Sequence, residues 1–209
     1  MAGYCVLVAL PSGTGATLSA RVFGGGLFFE LMVIFLGLGG LLRERAHHTA
    51  VFTLALPVSR VQLVTAQVSV GLAETTVLAL LPALLIEPLS AVVHESWPIG
   101  ESLRYSLLRF ICGAFIFAVS FLLSVIVRGE YTAPVASFAA LIMEGRVTQW
   151  VPSLRPWLLI PQATMNGHWA YEGIRSINEP LPWPGLSVMM LISIALFAVV
   201  VQISQKESL

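Results

Sequence analysis

The chain has 209 residues, 57% of them hydrophobic and only 11% charged, with a mean hydropathy of +0.87 and a formal net charge of zero. A soluble domain carries roughly 25% charged residues, so a chain this apolar lacks the polar surface to stay dispersed in water and calls for a bilayer as its solvent. Asp is absent and no block of like charge occurs, which leaves no footprint for nucleic acid; the two cysteines, Cys5 and Cys112, suggest neither a disulfide framework nor a metal site.

Along the chain, residues 4–10 form a short apolar stretch with no Lys or Arg before it. That suits the remnant of a transmembrane helix better than a secretory signal. The Gly-rich stretch at 12–17 has no Lys where a P-loop needs one, so it reads as a turn. No cofactor is expected in this chain. A crossing needs about 20 mostly apolar residues. The first such run covers 22–42 and is bracketed by Gly24, Gly25, Gly26, Gly37, Gly39 and Gly40. Small residues let membrane helices approach closely, either within the chain or at a dimer seam.

Residues 43–59 join that run to a second span over 60–86, with Pro82 near its end. Ser59, Arg60, Val61 and Gln62 form a capping-box pattern that predicts the helix start. The third span covers 103–127. A fifth span is predicted over 131–150, provided that the helix continues past Glu144 and Arg146. The segment 144–183 holds Pro152, Pro156, Pro161, Pro180 and Pro182, so it is not one continuous helix. The last span covers 185–204, and Pro184 suits its first turn, where a missing N–H costs nothing. The expected fold is an all-α membrane protein. It is a single polytopic helical bundle over residues 1–209, with about five transmembrane helices, a partial N-terminal one and a long outer-face segment before the last span.

All five tryptophans, Trp97, Trp150, Trp157, Trp169 and Trp183, fall outside the four clear spans, and on one membrane side once the fifth span is counted. They form either an interfacial belt, which Trp favours, or ordinary loop packing. Lys and Arg near the span ends divide evenly between the two sides, so charge alone does not orient the chain.

Glu30 and Glu74 lie well inside their spans, about 18 Å and 21 Å from the ends facing residues 43–59 at 1.5 Å per residue. A charge at that depth costs on the order of 3 kcal/mol and belongs toward a cavity or a partner rather than lipid. The two carboxylates line a transport path or a dimer contact, or are simply neutralised for packing. Arg109, early in the third span, is either their partner or snorkels outward.

The segment 42–60, LRERAHHTAVFTLALPVSR, carries the most information. Thr49 can cap a two-turn helix, and Pro57 ends it by pushing Leu56 out of the helical region. Val51, Phe52, Leu54 and Leu56 are then free for contact. A helix held between two spans is either gripped by a soluble partner or laid on lipid.

The stretch resembles the cytoplasmic loop of ABC-2 type transporter permeases. That loop carries an acidic-basic pair, a Gly-Thr, then a short apolar helix closing on Leu-Pro-Val-Ser-Arg. Here Glu44 and Arg45 match the pair, Thr49 matches the Thr, and Leu56, Pro57, Val58, Ser59 and Arg60 match the ending; His48 stands where Gly is usual. The resemblance covers roughly 22–206 and implies a coupling helix, including Phe52 and Leu54, seated on a separate ATP-binding cassette subunit. It also implies pairing with a second permease chain, location in the cell membrane, a cytoplasmic 43–59 segment and an outer Trp belt. It further implies that a full first span is missing, with residues 4–10 as its remnant.

Three functions compete. The first is an ABC-2 type exporter subunit driven by a partner's ATPase. The second is a stand-alone ion-coupled transporter using Glu30 and Glu74. The third, an intramembrane enzyme, lacks the nucleophile-base or metal constellation that a site requires; His47 and His48 are adjacent and point apart on a helix, and His94 and His168 lie in loops.

Overall fold

The computed structural model describes residues 26–39, 60–93, 99–127, 132–154, 157, 181 and 183–206. They form five α-helices: α1 (Gly26–Gly39), α2 (Arg60–Val93), α3 (Ile99–Ile126), α4 (Thr132–Trp150) and α5 (Trp183–Lys206), with a 3₁₀ turn at Pro152–Leu154. There is no strand among the described residues. Three stretches are long and apolar enough to cross a membrane: Val61–Leu85, Ser102–Ile126 and Trp183–Gln205. Shorter apolar stretches, Phe28–Leu38 and Thr132–Glu144, lie in α1 and α4.

The helix starts follow the sequence closely, and one end does not. α2 begins at Arg60, as the capping pattern predicts, and Pro184 sits in the first turn of α5. However, α2 does not stop near residue 86. It runs through Pro82 and Pro88 to Val93. Proline deletes one N–H and crowds the preceding turn, yet membrane helices tolerate it where neighbours satisfy the freed groups. Pro82 is buried against the bundle. α4 passes through Glu144 and Arg146 without a break, so its 19 residues extend about 28 Å at 1.5 Å per residue.

α3 is the centre of the molecule: it packs against each of the other four helices. Ring packing dominates this core. Phe117 stacks on Phe121 with centroids 5.7 Å apart and tilts against Phe197 of α5 at 5.9 Å. The Phe117 ring also occupies the notch beside Gly71 on α2. Gly37 places α1 against the α3 backbone: a Cβ there would lie 2.8 Å from Ser120 Cβ and 3.0 Å from the Phe117 carbonyl oxygen. For Gly37, then, close approach serves packing within the chain; Gly24, Gly25 and Gly40 lie outside the described residues.

These contacts also set helix direction. On α1, Phe29 meets Arg109 and Gly113, and Gly37 meets Phe117 and Ser120, so α1 and α3 run parallel. On α5, Met189 meets Cys112 and Phe197 meets Phe117, so α5 is parallel too. On α2, Gly71 meets Phe117 and Thr75 meets Gly113, so α2 is antiparallel. Since α3 and α5 run the same way, the chain between them must return, and α4 is the helix between them among the described residues.

The outer faces are apolar. Val70, Val77 and Leu84 recur every seven residues along α2 and are exposed, Leu84 by 70%. Phe28 and Phe35 on α1 and Val135 and Ile142 on α4 do the same, and Leu191 and Ile194 on α5 are exposed as well. A helix apolar on its outer face as well as its inner one belongs in lipid rather than water.

Candidate functional site

The polar groups of this apolar bundle gather on one side of α3. Ser102, Tyr105, Ser106, Arg109 and Cys112 are spaced at three or four residues, share one helical face and are all buried. Arg109 is the largest fully buried side chain, with 1% exposure. Its guanidinium carbon lies 4.6 Å from the centre of the Phe29 ring and 5.7 Å from that of Tyr105. A cation held over two aromatic faces gains about 0.5–2 kcal/mol from each, more when desolvated. Arg109 is thus buried inside the bundle and does not snorkel outward.

Glu30 follows Phe29 on α1 and is half-buried. Glu144, on α4, is half-buried. One of its oxygens, Oε1, is buried without a hydrogen-bond partner. Both α1, which carries Glu30, and α4, which carries Glu144, pack against α3, the helix of Arg109. Glu144 served in the sequence only as an obstacle to a fifth span. The signal that would have found it is its place in the second half of a continuous α4, on a helix that packs against both α1 and α3.

Glu74 takes no part in this buried neighbourhood. Phe29 and Thr75 both approach Gly113, at 2.8 Å and 2.9 Å from the position of an added Cβ. Their sequence neighbours Glu30 and Glu74 thus sit at a similar level in the bundle, as their spacing predicts. Their surroundings differ, because Glu74 is exposed on the outer side of α2.

Two sets of hydroxyl groups stand out, besides Ser124, which donates to the Phe121 carbonyl three residues earlier. Thr65, Ser69, Thr75 and Thr76 on α2 each donate to the carbonyl four residues earlier, at 2.7–2.8 Å. Ser187 and Ser193 on α5 do likewise. This is the usual way a hydroxyl is satisfied inside an apolar helix. Ser102 and Ser106 on α3 and Ser137 on α4 depart from it: each is buried and its hydroxyl has no hydrogen-bond partner.

No protein-family model matches this chain, and no curated protein matches it.

Of the residues assigned to the coupling segment, Glu44, Arg45, Thr49, Phe52, Leu54, Leu56 and Pro57 lie outside the described residues, and Arg60 is the first residue of α2. Cys112 is a free buried thiol whose sulfur is 4.0 Å from that of Met189. Among the described residues, no group of three or more His, Cys, Asp or Glu side chains is placed to hold a metal.

Proposed function

We propose that this chain is the membrane-spanning permease subunit of an ABC-2 type transporter, an exporter of the cell membrane driven by ATP hydrolysis in a separate ATP-binding cassette subunit. The observation that carries the proposal is the position of the Leu56, Pro57, Val58, Ser59, Arg60 ending. Its Arg60 is the first residue of α2, and the helix before the segment, α1, ends at Gly39. A segment so placed passes any displacement imposed by a soluble partner into two membrane helices. The all-helical bundle, its three membrane-length helices and its apolar exterior support the same reading.

In this arrangement α1 to α5 supply five crossings, with α4 as the return between the parallel α3 and α5. The segment 43–59 then faces the cytoplasm with the α3–α4 turn, while Trp97 and the stretch before α5 face outward. A second permease chain, identical or related, completes the transport path. The test is to purify the chain with the products of neighbouring genes and ask whether an ATPase subunit accompanies it. Leu54→Asp and Leu56→Asp should then release that subunit or uncouple its hydrolysis from transport. An ATPase that stays bound and coupled in both variants refutes the assignment of the segment.

The runner-up is a stand-alone ion-coupled transporter with Glu30 and Glu74 as its carriers. The level they share in the bundle favours it; the outward position of Glu74 argues against the pair acting together. Transport driven by a proton gradient with no ATPase bound would select it.

A further inference from the structure

We propose that the exposed face of α4 is a binding site for a phospholipid of the leaflet at the Trp-rich end of the bundle, with the lipid phosphate held by Arg146. The proposal requires that the bundle cross a membrane and is independent of what drives transport.

On α4, Val135, Phe138, Ile142, Arg146 and Trp150 follow one another at three or four residues, so they form one stripe along one side of the helix. All five are exposed, Val135 by 68% and Trp150 by 72%. The stripe changes character once: three apolar side chains, then a guanidinium, then an indole. The change comes just after Glu144, where the apolar run of α4 stops. From Val135 to Arg146 the helix rises about 16 Å at 1.5 Å per residue, and one leaflet of hydrocarbon is about 15 Å thick. An acyl chain laid along Val135, Phe138 and Ile142 therefore ends with its phosphate level with Arg146.

The neighbouring helices mark the same boundary. α4 is the return between the parallel α3 and α5, so Trp150 lies at the end where those two helices begin. Counting back from the Met189–Cys112 and Phe197–Phe117 contacts sets Trp183 level with positions 103–106 of α3, which bracket the exposed Arg104. Past α4, the 3₁₀ turn leads to Trp157, whose N–H donates to the Leu154 carbonyl and whose side chain is exposed. Exposed Trp favours the headgroup level, and an Arg at the edge of hydrocarbon extends its guanidinium to that level.

Charge selects the phosphate. A guanidinium bordering hydrocarbon calls for an anionic partner, and a phosphate offers oxygens that accept charge-assisted hydrogen bonds from it. Glu144, two residues before Arg146, does not share its face of the helix and is half-buried. The exposed stripe of α2, Val70, Val77 and Leu84, makes the contrast: it is apolar, and α2 has no Lys or Arg after Arg60. Acyl chains can lie on both helices, but only α4 offers a cation at the end of the stripe.

The test is photo-crosslinking of the full chain in vesicles that contain equal amounts of phosphatidylglycerol and an uncharged galactolipid with the same acyl chains. Benzoylphenylalanine replaces Phe138 in one preparation and Val77 in another, and mass spectrometry counts the lipid adducts. The Phe138 probe should favour the phospholipid about fivefold, the scale of one basic residue at a lipid surface. Arg146→Gln should bring that ratio close to one, whereas Arg146→Lys, which keeps the charge, should retain most of it. The Val77 probe should show no preference. Equal labelling of the two lipids at Phe138 overturns the proposal, as does a preference that Arg146→Gln leaves intact. A Phe138 probe that captures protein instead of lipid overturns it too, and so does a preference abolished by millimolar inorganic phosphate at fixed ionic strength, which would make the site one for the free anion.

Discussion

The guanidinium of Arg109 lies 4.6 Å from the centre of the Phe29 ring, inside a bundle whose outer faces are apolar. This contact joins the only strongly basic group buried among the described residues to the helix that carries Glu30. A desolvated cation over two aromatic rings gains about 2 kcal/mol or more from each. Arg109→Leu should therefore lower the thermal midpoint in detergent sharply. Arg109→Lys keeps the charge but cannot spread over two rings, and should fall between wild type and Arg109→Leu.

Gly37 tests the α1–α3 contact separately from charge. Gly37→Ala must displace Ser120 Cβ or the Phe117 carbonyl, each within 3.0 Å of the new atom. Overpacking of this kind costs about 1–3 kcal/mol. Gly100→Ala, where nothing lies within 4 Å of an added Cβ, should be neutral or stabilising, since alanine favours the helix by up to about 1 kcal/mol. Equal stability losses in the two variants would refute this account of the packing.

The apolar exterior is tested by charge placed on it. Val77 is 63% exposed on α2. Val77→Arg should weaken membrane insertion by about 2.5–3.5 kcal/mol, the cost of Arg near the centre of an inserting helix. An insertion assay with glycosylation tags on either side of α2 measures this directly. In a bundle surrounded by water the same change would be harmless, so unchanged insertion would refute the lipid-facing assignment.

Ser106 contrasts with Thr75. Thr75 donates to the Gly71 carbonyl at 2.8 Å, whereas the Ser106 hydroxyl has no partner. An unpaired buried hydroxyl costs about 1–3 kcal/mol. Ser106→Ala should therefore raise the thermal midpoint, and Thr75→Ala should leave it level or lower it. A drop on Ser106→Ala would show that this hydroxyl is satisfied in the folded protein.

Length and apolarity were enough to place α2, α3 and α5, because a membrane helix satisfies its backbone within itself and announces itself in one continuous stretch of sequence. The start of α2 at Arg60 and the place of Pro184 were also readable, since capping and proline chemistry act over a single turn. The extension of α2 to Val93 was not, because whether a proline ends a helix depends on what its neighbours offer the freed carbonyl.

The site divides in the same way. Depth along a helix is a matter of counting, so the shared level of Glu30 and Glu74 could be computed from spacing alone. Rotation about the helix axis and the choice of neighbour depend on packing between segments far apart in sequence. That packing left Glu74 exposed and buried Arg109 against Phe29 and Tyr105. Hydropathy and residue counting were enough for a helical chain suited to a membrane, with acids well inside its apolar runs. Which rings enclose Arg109 was settled by packing, because those contacts are made partly across helices and leave no periodic trace within any one of them.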